Sequence, residues 1–167
     1  MTETGSQSTG ELLAATVPMV RTLGLTFGPI DARRAEVVLP DRPEFHNHVG
    51  GPHAGALFTL AESASGAVVL AAFGEQLSRA VPLAVRAEIA YRKLARGEVT
   101  AVATLEHPVA EVVAELDAGR RPEFPVAVAV RRADGTVTAE MTVVWTLLPN
   151  GRNRHPDGRA PTDARQG

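Results

Sequence analysis

A chain of 167 residues, 44% of them hydrophobic, is the right size for one domain with its own core, and this excludes disordered and collagen-like classes. A net charge of −2 supplies no electrostatic footprint for nucleic acid, and the absence of Cys excludes disulfides and thiolate metal sites. Residues 1 to 9 have no basic region ahead of an apolar stretch, so they read as a flexible tail rather than a signal peptide. Glu11 to Leu23 has the spacing of a short amphipathic helix interrupted at Pro18. Two strands are predicted next, Leu25 to Ile30 and Ala35 to Leu39, around the polar turn Asp31-Ala32-Arg33-Arg34.

The segment Phe45 to Gly55 packs three His, one Asn, three Gly and one Pro into a loop that leads directly into a helix. Gly and Pro there specify an unusual backbone path, and the free N–H groups of a first helical turn attract an anion or a polarised carbonyl. The following run, Ala54 to Phe73, is apolar around most of its circumference and reads as a buried central helix. Its one charged side chain is Glu62, and an isolated carboxylate in such a setting is expensive to keep. The run is long enough to span a bilayer, but its central Glu, two Ser, one Thr, two Gly and seven Ala argue against it. A soluble cytoplasmic protein is expected.

Leu83, Val85, Ala87, Ile89 and Tyr91 then alternate with polar or small residues, the period of a half-buried strand. Arg96-Gly97 turns the chain into a strand over Val99 to Leu105, and Pro108 to Ala118 has helical spacing that ends near Gly119. Strands over Phe124 to Arg132 and Thr136 to Leu148 flank the hairpin signal Ala133-Asp134-Gly135. Residues 149 to 167, rich in Arg, Pro, Gly and Asp, are expected to be a disordered tail, leaving 10 to 148 as the domain. The fold class is α+β, an antiparallel sheet wrapped around one long central helix.

Ala54 and Glu62 are eight positions apart, about 12 Å along a helix at 1.5 Å per residue. That is too far to act on one small group, so if both serve one carbonyl the N–H and the carboxylate come from different subunits packed about a two-fold axis.

Asn47, then Gly50-Gly51-Pro52-His53-Ala54-Gly55, then Glu62 nine residues after the His, resembles the motif of hotdog-fold acyl-CoA thioesterases, in particular the PaaI-like group and its DUF4442-type relatives. The resemblance extends over roughly residues 11 to 148. It implies a dimerising hotdog fold, in a homodimer or homotetramer, and hydrolysis of an acyl-CoA or acyl-carrier thioester with no cofactor beyond the coenzyme A of the substrate. It implies a catalytic set of Glu62 as base or nucleophile, the Ala54 N–H as oxyanion donor, Asn47 orienting thioester or water, His53 shaping the loop and Gly55 admitting the substrate. Gly51, Phe58, Ser65, Gly66 and Arg92 complete the set on the substrate side. Two departures stand out: Ala54 replaces the first Gly of the His-Gly-Gly element, and Gly66 stands where some members carry a hydroxyl, a role open to Ser63 or Ser65. Arg86, Lys93 and Arg96 are further cations for coenzyme A phosphates, with a solvated strand face as the simpler reading. Two other classes compete: a non-catalytic acyl-CoA binder on the same fold, and a metal site built from His46, His48 and His53.

Overall fold

The computed structural model describes residues 3–150, with side chains from residue 9 onward. Helix α1 spans Glu3–Thr16, so it starts at Glu3 and not at Glu11, and the backbone is helical through most of the expected N-terminal tail. Val17 is extended, and Pro18, whose missing N–H is harmless at a first helical position, opens the separate helix α2 over Pro18–Leu23. Gly24 ends α2 in the left-handed conformation at φ 63°.

The strands are β1 Thr26–Ile30, β2 Arg34–Leu39, β3 Ala80–Tyr91, β4 Val99–Thr104, β5 Glu123–Arg132 and β6 Val137–Pro149. They form one antiparallel sheet in the order β1-β2-β4-β5-β6-β3. Strict alternation in β2, β4 and β5 places Ala35, Val37 and Leu39, then Val99, Ala101 and Ala103, then Phe124, Val126, Val128 and Val130 on the inner face. Against that face lies helix α3, Ala54–Phe73, whose Leu60, Ala61, Ala64, Ala67, Val68 and Phe73 are buried. Each of the larger ones contributes about 1.5–3 kcal/mol by leaving water. The Phe73 and Phe124 rings meet at 4.9 Å and a 47° tilt, fixing the C-terminal end of α3 to the middle of the sheet. This is a hotdog fold. Two thirds of the apolar α3 window is enclosed by the protein, so its length and hydropathy serve a core and not a bilayer.

Helix α4, Val109–Asp117, joins β4 to β5 and buries Val112 and Leu116, as the helical spacing predicts. The hairpin at 133–135 also forms, with Asp134 Oδ1 accepting the Thr136 N–H at 2.9 Å and Gly135 at φ 82°.

Two differences from the sequence reading concern β3 and the C-terminal end. The β3–β6 register shifts between Ala84 and Arg86, so the alternation predicted over Leu83 to Tyr91 is broken at Val85. Ala84 lies opposite buried Trp145, while Ala87, Ile89 and Tyr91 lie opposite Val143, Met141 and Ala139, and residues opposite one another share a face. Leu83 is therefore on the outer face. At the C-terminal end, β6 runs to Pro149, and Asn150 is tied down by its N–H to Arg79 O at 2.8 Å and its Nδ2 to Ser78 O at 3.1 Å. The remainder of the expected disordered tail lies outside the described residues.

Candidate functional site

The loop ahead of α3 is built by Asn47. Its backbone N–H reaches Gly51 O at 2.7 Å and its carbonyl accepts from Gly50 at 3.1 Å. Its side-chain Oδ1 accepts from Val49 and Gly51, at 3.0 and 3.3 Å, and Nδ2 donates to Pro52 O at 3.3 Å. The Asn47 side-chain amide is thus engaged with its own loop, which it holds in shape. Gly51, expected against substrate, is buried under the Ala95 carbonyl, so close that an added Cβ would lie 2.1 Å from that oxygen. His53 is the N-cap of α3, its Nδ1 accepting the Gly55 N–H at 2.9 Å. One of the orphan donors of the first turn is thereby satisfied. The Ala54 N–H has no acceptor among the described residues and faces outward at the positive end of the helix. Tyr91 on β3 donates its hydroxyl to Ala54 O at 2.9 Å, pinning this end of α3 to the sheet.

Two turns further on, Glu62 opens into a cavity of about 200 Å3 between α3 and the N-terminal helices. The walls are apolar, with Leu13, Val17 and Val20 on one side and Val69, Leu70 and Trp145 on the other. The carboxylate has no ion pair or hydrogen-bond partner among the described residues, and desolvation alone pushes its pKa above the ordinary 4.5. Ser63 lies beside it in the same cavity, and its hydroxyl is unpartnered among the described residues. Ser65 is different: it is fully buried, donates to Glu62 O at 2.7 Å and accepts the Trp145 indole N–H at 3.0 Å. Of the two serines weighed as water-positioning groups, only Ser63 is free to act, and Ser65, expected on the substrate side, is occupied with holding Trp145. Gly66, one turn after Glu62, lines the cavity.

A second, open groove of about 440 Å3 lies along the same face of α3, lined by Gly55, Ala56 and Thr59, with His53, Phe45 and Met19 around it. Gly55 and Glu62 are seven positions apart, two turns, so groove and cavity follow one stripe of the helix. Helix α2 covers both, with Met19 and Leu23 over the groove and Val20 at the cavity, where Val17, just ahead of the helix, joins it.

The remaining expected residues are elsewhere. Phe58 is 36% exposed on the outer side of the first turns of α3 and lines neither space. Arg92 is on the outer face of the sheet, paired with Glu140 at 2.9 Å. His46 pairs with Asp41 at 2.6 Å and the His53 ring caps the helix, so the histidines of the loop are not gathered around a common point. No group of three His, Asp or Glu side chains suited to a metal occurs among the described residues. Sequence reasoning missed the contribution of Leu13, Val17 and Val20. Their spacing of four and three is the available signal, and by itself it indicates no more than an amphipathic helix.

Residues 5–147 match the family described as a domain of unknown function, DUF4442. The chain belongs to that family. Solved structures of the same fold include a protein of unknown function from Pseudomonas aeruginosa, PA5026, described as a probable thioesterase, with 24% identity, 86% of this chain and 95% of that one covered, and a TM-score of 0.77. The PaaI protein of the phenylacetic acid degradation operon of Escherichia coli aligns at 13% identity over 89% and 96% of the two chains, TM-score 0.69. A putative thioesterase from Shewanella oneidensis aligns at 15% identity over 88% and 99%, TM-score 0.73. At these identities the likeness establishes the hotdog fold of this DUF4442 chain. No curated protein sequence matches it.

Proposed function

We propose that this protein hydrolyses an acyl thioester, of coenzyme A or of an acyl carrier, to a free acid and a thiol. The observation that carries the reading is Glu62, a carboxylate in an apolar cavity with no partner among the described residues, on the very helix whose first N–H, at Ala54, likewise has none among them. The thioester carbonyl accepts the Ala54 N–H, which stabilises the developing oxyanion by about 3–4 kcal/mol in the manner of one oxyanion donor. Glu62 takes a proton from water, the hydroxide oxygen bonds to the carbonyl carbon, the C–S bond breaks, and the departing sulfur is protonated. Burial raises the carboxylate's basicity and so suits it to that proton transfer. Ser63, whose hydroxyl has no partner among the described residues, orients the water in place of the hydroxyl missing at Gly66.

The 12 Å between the two groups along α3 requires two protomers, the amide from one and the carboxylate from the other. Strand β3 favours such a pairing. It is a 12-residue edge strand with Val81, Leu83 and Val85 exposed, and an edge of that length and apolarity is a template for pairing with another chain. Phe58, exposed near the Ala54 end, would face the second copy. The reaction needs no cofactor other than the coenzyme A carried by the substrate, and the cytoplasm, where acyl thioesters are made and used, is the expected location. The test is thiol release from a panel of aliphatic and aromatic acyl-CoAs by the wild type and Glu62→Gln at matched oligomeric state. A hundredfold or greater loss in the variant supports the reading, and equal turnover by both refutes it.

A further inference from the structure

A glycine in mid-helix is destabilising by roughly 0.5–1 kcal/mol relative to alanine, and a conformational or steric need normally accounts for it. Gly66 has neither. It sits in the regular interior of α3 without a positive φ, and a Cβ added there would meet Trp145 at 3.6 and 3.7 Å, which is ordinary van der Waals contact. What the missing side chain leaves free is the cavity, in which Gly66 is one turn from Glu62 and one turn from Val69 and Leu70. A larger residue at this position would take up part of the space that Glu62 lines together with Leu13 and Val20.

We propose that this cavity is the acyl pocket, that Gly66 keeps space in it free, and that the preferred acyl groups are aliphatic chains of about eight carbons. The inference rests on the thioesterase reading and names its substrate class. A methylene takes up about the volume share of a water molecule, roughly 30 Å3, so a cavity of about 200 Å3 holds six or seven of them. The carbonyl carbon remains outside, next to Glu62 at the mouth. Beyond Glu62, the polar side chains on the walls are Ser63 beside it and Thr16, and the Thr16 hydroxyl is already donated to Leu12 O at 2.7 Å. The lining residues include no cation or side-chain amide to pair with a second carboxylate on the acyl chain, and burying such a group unpaired is unfavourable. Leu13, Thr16, Val17 and Val20 bring the N-terminal segment into the cavity wall, so α1, α2 and the residue between them help to set chain length.

The assay for the pocket is binding of non-hydrolysable S-alkyl coenzyme A thioethers, which needs no turnover. S-octyl-CoA is expected to bind at least tenfold more tightly than S-methyl-CoA and S-hexadecyl-CoA. Gly66→Val should abolish that preference without weakening S-methyl-CoA, and Leu13→Ala should shift it to longer chains. Gly66→Ala guards against misfolding: it should raise Tm while reducing S-octyl-CoA affinity several-fold. Equal binding of the three thioethers by the wild type, or an unchanged profile in Gly66→Ala, would overturn the assignment. Selective S-octyl-CoA binding with no thiol release from any acyl-CoA would overturn the hydrolase reading and leave the pocket standing, so the two failures are distinguishable.

Discussion

Replacing Glu62 with Gln should make the protein more stable and less active at once. The carboxylate is largely withdrawn from water and has no compensating partner among the described residues, so its charged form is disfavoured in the folded state and its pKa is raised. The neutral amide keeps the size and removes that penalty, on the order of 1 kcal/mol at pH 7, or about 2–4 °C in Tm for a chain of this length. The sign follows from linkage. An acid whose folded pKa lies above its unfolded value loses stability as pH rises through the interval between them, so the advantage of Gln is complete above the raised pKa and vanishes below about 4.5. Thermal unfolding of both forms from pH 4 to 8 measures it directly. Turnover should fall by about 100-fold or more in the same variant, and the acid limb of the wild-type kcat/KM profile should lie above the ordinary glutamate value. A Gln variant less stable than wild type, or a stability difference independent of pH, would mean that Glu62 has a structural partner and would refute the reasoning.

The two serines should separate cleanly. Ser65→Ala leaves the buried Trp145 N–H without an acceptor and should destabilise by about 1–3 kcal/mol, with turnover per folded molecule changed little. Ser63→Ala breaks no bond among the described residues and should leave Tm within about 1 °C while lowering kcat roughly tenfold, a split checked by calorimetry and single-turnover kinetics. Gly51→Ala forces the loop away from the Ala95 carbonyl and should cost about 2–3 kcal/mol, seen as a lower urea midpoint. Arg92→Ala removes an exposed pair with Glu140 on the outer face and should leave both KM for acyl-CoA and stability, within about 0.5 kcal/mol, unchanged.

Much of the architecture was legible because its signals are local. The apolar run from Ala54 to Phe73 reads as a core helix from composition, and the strands expected over Ala35 to Leu39, Val99 to Leu105 and Phe124 to Arg132 form with ends within one residue of those bounds. Glu62 was conspicuous for the same reason, a charge where the surrounding side chains are oily. The β3 pattern misled at Val85 because a bulge inserts one residue without leaving a compositional trace, and every side chain before it changes face. Arg92 is marked by its charge alone, and the face it takes, one residue beyond β3 and beside Glu140, depends on a register fixed by β6.

The sequence by itself determined the elements, the central helix, and the residue types that chemistry at a thioester needs, since these follow from hydrophobic period and side-chain identity. The tertiary structure alone decided what each of them meets. Ser63 and Ser65 differ by two positions on a helix, which turns them about 200° apart, and the packing of Trp145 occupies one while a cavity leaves the other free. That cavity exists because α1 and α2 fold back over α3, a contact between segments some fifty residues apart that no local pattern encodes.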